Sequence, residues 1–139
     1  MTHPSGRFPL DTNIVIALMQ GEEGVVSRLR TSDEVFVPSI VLGKLFFGAA
    51  KSGRPAGNLA AVERFAAGRT IVECNLAAAR EYGKIKPQLR QKGRPIPEND
   101  IWIAAMAVAN GLTLATRDDH FDHVEGLATV AWTPEARPE

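Results

Sequence analysis

Two spacings of apolar residues alternate along this chain: short β-branched or aromatic runs, and longer stretches with helical periodicity. The first short run, 7–10, ends at Asp11, and a helix is predicted over 13–20 with Gly21 as its stop. Residues 24–30 continue as a second helical piece. Val35-Phe36-Val37 reads as a strand ended by Pro38, with Ser39 as the N-cap of a helix reaching about residue 52. The Ser52-Gly53-Arg54-Pro55 loop leads into a helix over 57–67 and then a strand at 70–73. A long helix over 76–91 is broken by Gly93-Arg94-Pro95-Ile96-Pro97. An apolar helix over 98–110, stopped by Gly111, precedes strands at 112–115 and 128–131.

Strands separated by helices require crossover connections, which gives an α/β fold: a central parallel sheet of about five short strands flanked by helices in three layers. Ligands of such sheets bind outside the carboxyl ends of the strands. Asp11 ends the first strand, and Asp118 lies just past the fourth. Asp100 sits in the first turn of the helix that feeds the fourth strand, so it starts at the same end of the sheet. The three acids are therefore predicted to converge.

Composition narrows the picture. The 139 residues suit a single domain, with a core over about 7–132 and loose ends at 1–6 and 133–139. Formal net charge is zero, so any nucleic-acid contact has to come from local patches. Cys74 is the only cysteine, which excludes a disulfide framework and a zinc–cysteine cluster and suits a reducing cytosol. The first residues carry no signal-peptide core, and the longest nearly apolar run, 101–109, is far short of a membrane span. A cytoplasmic protein with no membrane partner is expected.

Converging carboxylates bind a hard divalent cation, and that cation can activate water against a phosphodiester. Each acid also has a plainer reading. Asp11 can cap a helix, Asp100 can favour a helix N-terminus through the macrodipole, and Asp118 and Asp119 can be loop residues. Gly48-Ala49-Ala50-Lys51-Ser52 lacks Gly before Lys and lies within a helix, so it is no phosphate-binding loop. His120 and His123 invite a histidine metal site, but the third histidine, His3, lies in the N-terminal end. Phe121 is expected as a core anchor. Most of the basic residues read as solvated surface, while Arg90, Lys92 and Arg94 precede Asp100 and are placed to border a cleft and hold phosphates.

The flanks of the acids carry a resemblance. Leu10-Asp11-Thr12-Asn13, Pro38-Ser39-Ile40-Val41-Leu42-Gly43-x-Leu45-x-x-Gly48, Pro97-x-x-Asp100-x-x-Ile103-Ala104-Ala105 and Leu114-Ala115-Thr116-Arg117-Asp118 resemble, in order and spacing, the successive signatures of a PIN-domain ribonuclease. The similarity is to the VapC-like toxins of type II (VapBC) toxin–antitoxin systems. It spans about residues 7–132 and implies a PIN-like fold and a Mg2+- or Mn2+-dependent endoribonuclease. Asp11, Asp100 and Asp118 would be the metal carboxylates, Thr116 would hydrogen-bond within the site, and Asp119 and Asp122 are lesser outer candidates. The resemblance further implies an RNA substrate, a VapB-type antitoxin and a homodimer. The helix over 39–52, apolar around much of its circumference, lies in the region that receives the antitoxin in such proteins. Two other functions fit the same motifs: a PIN nuclease of RNA processing without an antitoxin, and a catalytically dead PIN module that only binds.

One position departs from the pattern. Lys44 stands where the family has glutamate, a change of two charge units. An ammonium about 4 Å from a carboxylate gains roughly 4 kcal/mol at an effective dielectric near 20, before desolvation. Lys44 is expected to pair with Asp11 or Asp118 and to replace the cation's charge but not its Lewis acidity. A disabled site, with weak Mg2+ binding, is the expectation; the alternative is a natural variant in which the lysine swings outward.

Overall fold

A computed structural model describes residues 6–133. The loose ends expected at the two termini fall, apart from Gly6 and Thr133, outside the described residues. Five short strands, β1 (Arg7–Pro9), β2 (Glu34–Pro38), β3 (Thr70–Val72), β4 (Leu114–Ala115) and β5 (Thr129–Val130), are interleaved with six helices. These are α1 (Thr12–Met19), α2 (Glu23–Thr31), α3 (Ser39–Ala50), α4 (Pro55–Ala66), α5 (Leu76–Gln91) and α6 (Glu98–Ala109).

All strand pairings are parallel. β2 lies between β1 and β3, while β4 pairs with β5. The two ladders meet through a parallel bridge between Leu10 and Ala115, closed by the Asp11 amide donating to the Ala115 carbonyl at 2.9 Å. The order is thus β3-β2-β1-β4-β5. Parallel sheets need cover on both faces, and the apolar residues supply it. Leu10, Ile14, Val15, Val37, Val41, Ile103, Ala104, Leu114 and Phe121 form one continuous buried cluster. α6 is buried almost all round, which explains its unbroken apolar sequence.

The first four helices start one or two residues earlier than expected, and at α3 and α4 proline is the reason. Ser39 is the first helical residue of α3 rather than its cap; Pro38, held at φ −63° and ψ 137°, takes the cap position without a side-chain bond. α4 begins two residues earlier than expected, at Pro55, because proline's fixed φ and missing N–H suit the first helical position. The expected strand at 112–115 is shortened. Gly111 adopts φ +63°, and the Leu112 amide is taken by the Ala107 carbonyl, closing the helix before the strand can start. Among the described residues no helix is long and apolar enough to cross a membrane.

Candidate active site

The carboxyl ends of β1 and β4 are adjacent, and this adjacency assembles the site. Asp11 leaves β1 in an extended conformation and caps α1, its Oδ1 accepting from the Thr12 amide at 2.8 Å. Its Oδ2 accepts from the Thr116 hydroxyl, just past β4, at 2.7 Å. Thr116 Oγ1 in turn accepts from the Asp118 amide at 3.0 Å, which fixes the backbone that presents the Asp118 carboxylate. Asp11 and Thr116 are both buried. The hydrogen bond expected of Thr116 is therefore present, and its partner is Asp11.

Asp100 arrives from the third helical position of α6, where a carboxylate is favoured by the helix dipole. Its side chain is only 6% exposed. Burial pushes its carboxyl above the usual carboxylate range; Lys44 opposes this, while Asp11 and Asp118 add to it. The net upward direction says that the ammonium does not offset the cost of burying this carboxylate beside two other acids.

Lys44 reaches the site from the second turn of α3, but not to the partner expected. Its Nζ stands 3.6 Å from Asp100 Oδ1 rather than beside Asp11 or Asp118. The reason is packing between helices. α3 lies against α6, so a residue on α3 meets the start of α6 before it meets the strand ends.

A short 3-10 turn, Asp119–His123, follows β4. Asp118 caps it by accepting from the His120 amide at 3.0 Å, and the fully buried Phe121 anchors it as expected. This turn folds the His120 ring back over the acids: Nδ1 lies 3.1 Å from Asp118 Oδ1 and 3.7 Å from Asp100 Oδ2. His123 does not share in this, and its carbonyl accepts from Gln88 and Lys92 instead. Asp119 and Asp122 are exposed and line, with Thr116, Arg117 and Asp118, a separate depression of about 160 Å³ toward β5.

Donor atoms from Asp100, Asp118 and His120 all lie within 4.8 Å of one another. Together with Asp11 they form an oxygen-rich set with surplus negative charge, which suits a divalent cation. Lys44 occupies one flank of it.

Two residues that hold the site together were not singled out from the sequence. Arg117 points away from Asp118, the acid that follows it. Its guanidinium pairs with both oxygens of Glu22 and donates to the carbonyls of Ala131 at 3.2 Å and Trp132 at 2.7 Å. Its amide donates to Asn13 Oδ1 at 3.2 Å. Arg117 and Asn13 thus tie the end of β4 to α1 and to the last strand. The only signal was position, since Arg117 directly precedes Asp118 and Asn13 follows Asp11 by two residues. Of the basic residues expected at a cleft, Lys92 is paired with Glu125 at 3.3 Å, and Arg90 lines a pocket of about 220 Å³ between α5 and α6. A larger groove, about 400 Å³, runs between α1, α3 and α4 and reaches Lys44; Ile16, Met19, Leu45, Ala49 and Val62 make it apolar.

Comparison with known proteins gives this arrangement a lineage. Residues 9–127 match the family model of the PIN domain. Ribonuclease VapC2 of Haemophilus influenzae is 36% identical over 129 residues, covering 91% of this chain and 98% of the relative. The tRNA(fMet)-specific endonuclease VapC of Shigella flexneri is 33% identical over 130 residues, with the same coverage. Among solved structures, the DNA-bound VapBC complex of Salmonella typhimurium superposes with a TM-score of 0.84 at 31% identity, covering 91% of this chain and 98% of that one. The chain belongs to the PIN-domain family and, within it, to the VapC ribonucleases.

Proposed function

We propose that this chain is the toxin of a VapBC-type pair, an endoribonuclease of the cytoplasm that cuts RNA with a divalent cation and is held in check by a VapB-type antitoxin. The observation that carries the reading is the convergence of Asp11, Asp100 and Asp118 at one end of a parallel sheet, with Asp100 buried among like charges. A divalent cation held by these carboxylates supplies Lewis acidity to the phosphodiester and lowers the pKa of water. The chain's own residues do the positioning. Thr116 fixes Asp11 and the Asp118 backbone, while the α6 N-terminus places Asp100 opposite them. No side-chain nucleophile is required.

Lys44 sets the level of that activity. Paired with Asp100, it competes for an oxygen that the cation needs and supplies charge without Lewis acidity. The chain as it stands therefore binds Mg2+ weakly and cleaves slowly. The apolar groove between α1, α3 and α4 supports the antitoxin reading. It presents half-exposed Ile16 and Met19 and reaches Lys44, the partner of Asp100, so a segment lying there would approach the site from the Lys44 side.

The test is cleavage of total tRNA by the purified chain and by Lys44→Glu, with Mg2+, Mn2+ or chelator. Cleavage that needs a divalent ion and rises at least tenfold in Lys44→Glu is expected, roughly the scale on which metal-site residues act. Equal activity in both removes the role given to Lys44. No cleavage by either protein with either ion removes the nuclease reading and leaves a binding module.

A further inference from the structure

We propose that His120 is a metal ligand in this chain, so that the site takes a mixed oxygen-and-nitrogen donor set that favours Mn2+ and later first-row ions over Mg2+. The inference rests on the metal-dependent reading above and adds to it a residue and a selectivity.

The distances are those of shared coordination. Neighbouring donors on an octahedral ion with bonds near 2.1 Å stand about 3 Å apart, and more where the angle opens. His120 Nδ1 is 3.1 Å from Asp118 Oδ1 and 3.7 Å from Asp100 Oδ2. The ring is held in place by local structure. The His120 amide is bound by the Asp118 carboxylate, and the next residue, Phe121, is fully buried. The turn thus presents the His120 ring on the side of the acids.

Lys44 makes the histidine matter. It addresses Oδ1 of Asp100, while His120 lies on the Oδ2 side. An ion shared by Asp100 Oδ2, Asp118 and His120 leaves the ammonium where it is. The position lost to Lys44 was a carboxylate oxygen, the donor Mg2+ prefers; the position gained is an imidazole nitrogen, a borderline donor that suits transition ions. A pair of histidines three apart does not form this site. Two carboxylates from distant segments complete it around a single His.

The competing reading is that His120 is a hydrogen-bonding partner of the acids, touching them without ligating anything. Titration of the full chain with Mn2+ and with Mg2+, followed by pulsed electron paramagnetic resonance of the Mn2+-loaded protein, separates the two. Tighter Mn2+ than Mg2+ binding is expected, with nitrogen modulation from a directly bound imidazole. His120→Ala should abolish that modulation and weaken Mn2+ binding by about tenfold or more, with little change for Mg2+. The ring is half exposed, so the substitution leaves the core intact. Mn2+ bound without nitrogen modulation, or with equal affinity in His120→Ala, overturns the assignment and leaves the nuclease reading standing. No Mn2+ binding at all overturns it as well. Mg2+ binding by Lys44→Glu then decides whether the metal-dependent reading survives.

Discussion

Asp11 and Asp100 are both buried carboxylates in one site, yet the fold treats them oppositely. Both oxygens of Asp11 accept hydrogen bonds, from the Thr12 amide and the Thr116 hydroxyl, so burial is compensated by the chain itself. Asp100 has a single cation at 3.6 Å, two acids nearby, and a carboxyl pushed above its ordinary range. The first half of the site is finished when the chain folds. The second half carries surplus charge that a divalent cation would neutralise. A site built this way keeps a rigid frame on one side and concentrates its affinity for a cation on the other.

Breaking the finished half should have the largest effect. In a Lys44→Glu background, Asp11→Asn keeps the shape and a capping oxygen but loses a charge, and RNA cleavage should fall by about 100-fold or more. Asp11→Ala should lower stability as well, by about 2–4 kcal/mol, since it removes a helix cap and leaves the buried Thr116 O–H without its acceptor. Denaturant titration of the two variants separates the two contributions; similar stability of both would mean that the hydrogen bonds to Asp11 carry little.

Thr116→Val tests the same frame more gently. The hydroxyl bridges Asp11 and the Asp118 amide in a buried position, and its loss should cost about 1–3 kcal/mol. Cleavage should also fall, because Asp118 is no longer fixed relative to Asp11. A variant with normal stability but reduced cleavage would show that the bridge orients without stabilising. Arg117→Ala should act at longer range. It releases Glu22 and the carbonyls of Ala131 and Trp132, and a melting temperature lowered by several degrees is expected. Trp132 sits at φ +49°, a costly conformation for a tryptophan, and the bond to its carbonyl is one of the contacts that hold it there.

The acids of both halves were legible, Asp100 through the start of the helix that feeds β4, but the contacts around Asp100 were not. Asp11 and Asp118 were placed by a rule about strand ends, and that rule needs only the order of strands and helices. α5 matched its expected span of 76–91, and α6 ended one residue before its expected end, at Ala109, because apolar spacing and breakers mark such long elements well. The contacts around Asp100 depend on how helices lie against each other. Nothing local says that Lys44 on α3 will meet the start of α6, so its partner was misassigned. The 3-10 turn after Asp118 was not foreseen either, since five residues carry too little periodicity to announce it. With that turn unread, His120 looked like half of a sequence-local pair and not like a neighbour of Asp100. Its distance from Asp100 in sequence hid a contact that only the folded chain creates.

The smallest effect expected is the one that tests the unfinished half most directly. Asp100 holds its proton more tightly in the folded chain than in the unfolded one. The contribution of Asp100 to stability should therefore be greatest at acid pH, where the group is neutral in the fold. It should decline as pH rises from the unfolded value to the raised folded value, and level off above it. Asp100→Asn removes this contribution, so the difference in unfolding free energy between the original chain and the variant should fall with rising pH across that window. Denaturation at a series of pH values in the presence of chelator measures it. A difference that instead grew with pH would mean that the Lys44 pair outweighs burial and that the acids are already balanced. Added Mn2+ sharpens the comparison. An ion bound at Asp100 favours the ionised carboxylate, so the decline should flatten or reverse in the original chain and be unaffected in Asp100→Asn.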